Sequence, residues 1–171
     1  SGDLLEGLMS HRLDAALVDG PPNLAGLDGV PLCEEVLVLI TSPEHPPVHS
    51  ARDVAGRAVF TFRQGCSYRM RLEAWYAHAH TPMGRVMEIE SYQSMLACVI
   101  AGAGVALMAQ SMLDSLPGRE QIRVHRLQAP FDQAVTWLMW RQGMCGANLQ
   151  AWIDLQQGET VDRPSERPAT A

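Results

Sequence analysis

The chain has 171 residues, of which 47% are hydrophobic and 19% are charged, so it holds enough apolar material for the core of one ordinary domain and is not disordered throughout. It contains no apolar run of about 20 residues, the length that a membrane-spanning helix needs, and is therefore expected to be soluble. All 13 basic residues are arginines and the net charge is −6, which leaves no basic stripe for a phosphate backbone and predicts that this chain alone does not hold DNA.

The first part of the chain is predicted to alternate between helix and strand. Asp3 can cap a helix whose apolar residues follow at helical spacing, namely Leu4, Leu5, Leu8 and Met9. A strand over residues 15–18 stops at the turn-forming residues 19–22. Residues 36–41 form a strand candidate that is apolar on both faces, as expected for a strand that helices cover on both sides.

The rest of the chain repeats this alternation. A strand over residues 58–62 leads through a loop into a helix with one apolar face, formed by Tyr68, Leu72, Trp75, Tyr76 and Ala79. Further strands are predicted over residues 86–89, 105–108, 122–127 and 135–140, and further helices over residues 92–100 and around residues 149–153. Residues 158–171 are poor in apolar side chains and are predicted to form a disordered tail. This order of elements predicts an α/β fold with mostly parallel sheets and flanking helices.

Gly102 and Gly104 form a Gly-x-Gly pair, but a helix precedes them and a strand follows, which is the reverse of the order in a dinucleotide-binding fingerprint. We expect instead that Gly102 ends the helix in a left-handed conformation and that Gly104 permits close packing. His78 and His80 are two positions apart on a helix, so their rings point to different faces. The sequence therefore predicts no cofactor and no metal site.

Residues 64–69 follow a strand and open a helix, so that free backbone N–H groups and the helix dipole point at one spot. A carboxylate or a phosphate suits such a spot. An ordinary turn with Ser67 as the N-cap explains the same residues, and both interpretations stay open. Cys66 is interpreted as a packed or ligand-facing cysteine, with a nucleophilic or redox-sensing thiol as the alternative.

The four cysteines stand far apart at residues 33, 66, 98 and 145, without a C-x-x-C pair. The start of the chain shows no export signal. Both observations predict free thiols in a reducing, cytoplasmic environment.

Several segments together resemble the effector-binding domain of LysR-type transcriptional regulators. In chain order they are residues 4–8, 13–21, 37–46 with its His45-Pro46 ending, 65–69, 99–108 and 138–141. Each motif is weak alone, whereas their order and spacing over most of the chain are specific. The chain departs from the family at Ala109-Gln110, where a proline usually ends the strand.

The resemblance implies a two-lobed, periplasmic-binding-protein-like fold of type II, in which crossing strands join the lobes and a small effector binds between them. It also implies that a winged helix-turn-helix and the first strand and helix of lobe one lie upstream of Ser1, so that the fold is truncated at its N-terminus. We expect lobe one to comprise residues 1–56 and 131–157, and lobe two residues 57–130.

The resemblance further implies a homodimer or homotetramer that contacts DNA only through the N-terminal domain and does not contact a membrane. Candidate contact surfaces are the first helix around Leu8 and Met9 and the helix at residues 68–80.

The motif match places a set of residues at the cleft between the lobes: Ser1, Gly2, Gly20, Pro21, Gln64, Gly65, Cys66, Ser67, Ser91 and Gln93. Arg63 and Asp19 are added for their chemistry, because Arg63 can donate two hydrogen bonds to a carboxylate and Asp19 can hold an amino group. The expected effector is therefore a small, anionic metabolite, either an amino acid or another carboxylate. The alternative for Arg63 and Asp19 is that they are solvated surface charges.

The predicted function is a regulatory switch rather than a catalyst. Two alternatives stay open. One is an enzyme on the same fold that uses Cys66, activated by the start of the helix. The other is the solute-binding protein of a transporter, which shares the fold but requires an export signal.

Overall fold

The computed structural model describes residues 2–20 and 25–156. The helices are α1 (Gly2–Met9), α2 (Ser67–His78), α3 (Tyr92–Ile100), α4 (Gln110–Ser115) and α5 (Ala147–Gln156). The strands are β1 (Ala15–Asp19), β2 (Leu27–Thr41), β3 (Val59–Thr61), β4 (Val86–Glu88), β5 (Val105–Ala109), β6 (Arg123–Arg126) and β7 (Gln133–Arg141). Each helix and strand predicted within this range is present. The predicted tail over residues 158–171 and the predicted cleft residues Ser1 and Pro21 lie outside the described residues.

Strand β2 is much longer than the predicted segment, because it begins at Leu27 rather than at residue 36. Its first half contains Gly29, Pro31 and two glutamates, residues that are depleted in strands. Pairing with β7 over nearly the whole length of that strand holds this half extended, with an irregularity between Pro31 and Cys33. Tertiary pairing therefore overrides a weak local preference in this half of the strand.

The sheet is mixed, so the prediction of mostly parallel strands is corrected. The strand order is β1-β7-β2-β5-β3-β4, and β6 also pairs with β2. Strand β3 is parallel to both β4 and β5, as predicted, but every other described pair is antiparallel. Parallel neighbours need a crossover connection. Among the described elements, the crossovers are α2 and α3, which link β3, β4 and β5.

Strand β2 takes part in two sheets. Its residues 27–36 pair with β7, which in turn pairs with β1, and we call these strands the first sheet. Its residues 37–41 pair with β5 and β6, and together with β3 and β4 they form the second sheet. On the first sheet, α1 packs on one face, with Leu8 against Val18 and Met139, while α5 packs on the other face, with Ile153 against Leu138.

The second sheet is covered on both faces, which confirms the prediction for the apolar end of β2. Leu37 and Leu39 belong to a core with Trp75 of α2, whereas Val38 and Ile40 belong to a core with Met95 of α3. All four of these β2 residues are fully buried.

The predicted division at residue 56 stays a prediction. Residues 37–41 pair with the second sheet, and Val48, Ala51 and Val54 pack in the same core as Trp75. We therefore propose that the boundary between the lobes lies near residue 36.

Both predictions for the Gly-x-Gly pair are confirmed. Gly102 follows α3 with φ of 74°, and its N–H donates to the carbonyl of Val99 at 2.9 Å. The N–H of Ala103 donates to the carbonyl of Cys98 at 3.0 Å, which completes a Schellman motif. At Gly104, a Cβ would overlap the carbonyl oxygen of Ala58, so only glycine allows the two strands to approach this closely.

The two residues proposed as a contact surface on the first helix differ in exposure. Leu8 is completely buried under α1, so its assignment to a contact surface is wrong. Met9 is 52% exposed and stays available for such a contact.

Candidate ligand-binding cleft

A cleft separates the first sheet with α1 from the loops that begin α2 and α3. Three adjoining cavities occupy it. The polar cavity, of about 270 Å³, is lined by Gly2, Asp3, Phe62, Arg63, Gln64, Gly65, Cys66, Ser67 and Glu90. The apolar cavity, of about 610 Å³, is lined by Gly2, Leu5, Asp19, Gly65, Ser67, Met70, Arg71, Ala74, Pro130 and Phe131. The tyrosine cavity, of about 360 Å³, is lined by Leu4, Leu17, Val18, Asp19, Phe62, Cys66, Ser67, Tyr68, Tyr92 and Thr136.

The start of α2 is the point where the three cavities meet, because Ser67 is the one described residue that lines all of them. Gly65, with φ of 86°, allows the chain to turn from β3 into the helix. The N-cap is Cys66 rather than Ser67, and in the described part of the chain the Cys66 side chain makes no capping hydrogen bond. The backbone N–H groups of the first helical turn have no acceptor within the helix and face this junction.

The polar cavity contains groups of both charges. The Arg63 guanidinium lies 3.8 Å from the carboxylate of Asp3, and both side chains are largely exposed. The backbone N–H of Arg63 donates to the Glu90 carboxylate at 3.1 Å. A ligand in this cavity would therefore meet hydrogen-bond donors at Arg63 and the start of α2, and acceptors at Asp3 and Glu90. This arrangement suits a small molecule that carries both an ammonium and a carboxylate.

Asp19 is already engaged in an ion pair. Nη2 of Arg71 donates to both carboxylate oxygens of Asp19, at 2.8 and 2.9 Å. Asp19 could hold the amino group of a ligand, as predicted, only if this ion pair opened. Arg71 lies one helical turn after Ser67 on the same face of α2, so the i, i+4 spacing was a signal in the sequence that could have placed it at the cleft.

The tyrosine cavity is lined by phenol groups that stay neutral. Burial raises the pKa of Tyr68 and of Tyr92 above the usual range of tyrosine. The ring of Tyr92 packs edge-to-face against Phe62, with 4.9 Å between the ring centres. Both tyrosines are therefore available to a ligand as uncharged, partly apolar surfaces.

The structure brings together most of the predicted cleft residues. Gly2, Asp19 and the whole segment 63–67 line the cavities. Gly20, Ser91 and Gln93 are not among the described residues that line them. Gly20 donates its N–H to the carbonyl of Val135 at 2.8 Å, and the Ser91 hydroxyl accepts the N–H of Ser94 at the start of α3.

The cavities also contain residues that sequence reasoning missed. Beside Arg71, the main ones are Asp3 and Glu90. The sequence pattern indicates only a helix cap for Asp3 and assigns no role to Glu90, which directly precedes the predicted Ser91. Both come near Arg63 only through the folded chain, so their sequence spacing gave no signal.

The described residues do not favour the alternative based on Cys66. No histidine is among the described residues that line the three cavities, so the imidazole that commonly activates a thiol is absent there. The four cysteines, all of which are described, are free.

Within the described ranges there is also no group of three or more His, Cys, Asp or Glu residues that could hold a metal ion. None of the described helices combines the length and the hydrophobicity that a bilayer crossing requires.

Comparison with known proteins identifies similar sequences. A family model for the LysR substrate binding domain matches residues 1–159. The HTH-type transcriptional regulator SoxR of Arthrobacter sp. (strain TE1826) is 28% identical over 153 residues, which cover 89% of this chain and 52% of SoxR. The HTH-type transcriptional regulator GltR of Bacillus subtilis (strain 168) is 28% identical over 138 residues, which cover 81% of this chain and 47% of GltR. The chain thus spans about half the length of the curated relatives that it matches.

Solved structures share the fold. The regulatory domain of CcmR from Synechocystis PCC6803, solved in complex with 2-PG, superposes with a TM-score of 0.77 at 17% sequence identity. The superposition covers 95% of this chain and 81% of the CcmR chain. The regulatory domain of NMB2055 (MetR), a LysR family regulator from N. meningitidis, superposes with a TM-score of 0.76 at 17% identity, over 91% of this chain and 73% of its own.

Proposed function

Because this chain belongs to the family of LysR substrate-binding domains, we propose that it is the sensory domain of a transcriptional regulator whose effector binds where the three cavities meet at the start of α2. The observation that carries this assignment is the position of Ser67, which lines all three cavities beside the unsatisfied N–H groups of the helix. A ligand at this point lies between the first sheet with α1 and the loops that begin α2 and α3.

The effector is a small molecule with a carboxylate, and an amino acid fits best. Arg63 and the start of α2 supply donors for the carboxylate, while Asp3 and Glu90 supply acceptors for an ammonium group. A purely anionic ligand would place its charge near these two carboxylates, which is unfavourable. The complex of the CcmR regulatory domain with 2-PG supports a small-molecule ligand in this fold.

The domain works as a switch and not as a catalyst. Effector binding between the two sheets changes how a dimer or tetramer of the regulator presents its DNA-binding domains. The regulator acts in the cytoplasm, in keeping with relatives that are transcriptional regulators.

Isothermal titration calorimetry with a panel of amino acids and small carboxylates tests this proposal. We expect at least one panel member to bind the wild-type domain, and Ser67→Ala to weaken that binding about fivefold or more, because it removes a hydrogen-bonding group at the junction. Ser115→Ala serves as the matched control, since Ser115 is exposed and bonds only within its own helix.

Two results would contradict the proposal. One is that no panel member binds the wild-type domain. The other is that Ser67→Ala and Ser115→Ala bind a confirmed ligand with equal affinity, which would place the ligand elsewhere.

A further inference from the structure

The apolar cavity differs from the polar cavity in its chemistry. Its volume of about 610 Å³ lies within the range of small-molecule sites. Most of its wall is apolar and comes from Leu5, Met70, Ala74, Pro130 and Phe131. The charged groups among its described lining residues are Asp19 and Arg71. Such a site accepts a ligand with an apolar body and one charged group.

The ion pair between Asp19 and Arg71 joins the two sides of the cleft. Asp19 is the last residue of β1 in the first sheet, and Arg71 lies on α2, which packs on the second sheet. The side chains are mostly buried, with exposed fractions of 9% for Asp19 and 24% for Arg71. The pair therefore holds the start of α2 against the edge of the first sheet.

The Asp19 carboxylate and the Arg71 guanidinium differ in how much of their hydrogen-bonding capacity is used. Both carboxylate oxygens of Asp19 accept a hydrogen bond, and both bonds come from Nη2 of Arg71. Nε of Arg71 is buried and has no hydrogen-bond partner among the described residues. A buried donor without an acceptor is costly. Asp19 therefore leaves part of the donor capacity of Arg71 unused at the edge of this cavity, which favours an anionic ligand over a cationic one.

We propose that the apolar cavity binds a monocarboxylate with an apolar body, and that the ligand carboxylate competes with Asp19 for the Arg71 guanidinium. Exchange of one carboxylate for another keeps the charge-assisted hydrogen bonds of the arginine, while the apolar body of the ligand leaves water. Once Asp19 is released, β1 is no longer tied to α2. The inference rests on the proposed function because it concerns the same cleft. It assigns the Asp19–Arg71 ion pair as the contact that a bound ligand breaks, so that the two sheets separate.

Titration calorimetry of the wild-type chain with hexanoate and phenylacetate, and with their neutral amides hexanamide and phenylacetamide, tests the proposal. We expect the carboxylates to bind about tenfold or more tightly than the amides, because only they form charged hydrogen bonds with Arg71. Arg71→Gln should remove this preference. Asp19→Asn should instead strengthen carboxylate binding about threefold or more, because it removes the competing charge.

The opposite signs of the two variants separate a ligand contact from a structural bridge, since both variants break the same ion pair. Arg119→Gln is the matched control for Arg71→Gln. Arg119 is exposed and is not among the described residues that line the three cavities, so its loss should leave the affinity for hexanoate unchanged. Circular dichroism verifies that each variant is folded, and the comparison of carboxylate with amide on the wild-type chain needs no variant at all.

Three outcomes would overturn the inference: carboxylates that bind no more tightly than amides, equal losses of affinity in Arg71→Gln and Asp19→Asn, or no binding of any of these probes. None of them would remove the proposed function. That function fails separately, if no member of the panel of amino acids and small carboxylates binds or if Ser67→Ala has no effect on a confirmed ligand.

Discussion

His125 shows how a single side chain can make the stability of this fold depend on pH. It lies on β6, is only 7% exposed, and has Nε2 3.0 Å from the hydroxyl oxygen of Thr41. Its Nδ1 accepts the backbone N–H of Val48 at 3.2 Å, so the ring is neutral and carries its proton on Nε2. Burial lowers the pKa of His125, and the nearby positive charges of His45, Arg123 and His49 lower it further.

The expected consequence is a loss of stability in mild acid. The folded pKa lies below the unfolded value of about 6.5, so the unfolded state binds more protons as the pH falls. The contribution of His125 is therefore complete above about pH 6.5 and is lost as the pH falls toward the folded pKa. Urea unfolding between about pH 8 and about pH 5 should show a falling free energy of unfolding.

His125→Asn separates this contribution from the other titrating groups. Asparagine keeps an acceptor for the Val48 N–H but does not titrate, so we expect a variant that is about 1 kcal/mol less stable near neutral pH and less sensitive to acid. His80→Asn is the control, because His80 is exposed and has φ of 51°, a conformation that asparagine tolerates. The same pH dependence in His125→Asn and wild type would refute the assignment.

At the scale of helices and strands, the sequence correctly predicted those features that depend on neighbouring residues in the chain. The helix stop at Gly102 and the buried end of β2 follow from residue type and apolar pattern. Helix α4 was not predicted, because it follows β5 directly, its N-cap is Ala109, and its first turn has no acidic residue. The first half of β2 was missed because β7, rather than its own residues, holds it extended.

The two glycines of the Gly-x-Gly pair should respond differently to substitution. Gly102→Ala places a Cβ in open space but in a left-handed conformation, which costs about 1–2 kcal/mol. Gly104→Ala forces a Cβ into the Ala58 carbonyl oxygen, which is also the acceptor for the N–H of Val105. We expect a loss of about 3 kcal/mol or more for this variant. Urea unfolding of both variants measures the difference, and equal losses would contradict the packing role of Gly104.

At the scale of the whole molecule, the sequence predicted the place of the cleft better than its chemistry. Residues 63–67 could be assigned because a strand, a turn and a helix start are contiguous in the chain. The Asp19–Arg71 ion pair joins residues 52 positions apart and depends on how the two sheets face each other. No local pattern carries that information, so the sequence predicted Asp19 as a partner for a ligand amino group but not its pairing with Arg71.

Self-association is predicted to depend on Met9. This side chain is 52% exposed on α1, so Met9→Glu should leave the free energy of unfolding within about 0.5 kcal/mol of wild type. If α1 contributes to a contact between copies, the added charge should weaken self-association about tenfold or more. Sedimentation velocity over a concentration series measures this effect. A wild-type chain that stays monomeric throughout, or a Met9→Glu variant that associates equally well, would exclude this surface.

The sharing of β2 between the two sheets limits the independence of the two halves of the molecule. Residues 27–36 complete the first sheet and residues 37–41 lie between β5 and β6 in the second, within one continuous strand. Fraying of residues 27–36 would therefore reach the fully buried side chains of Leu37 and Val38 at the start of the second sheet. We expect the two halves to unfold as one cooperative unit, which coincident unfolding transitions of the two sheets would show.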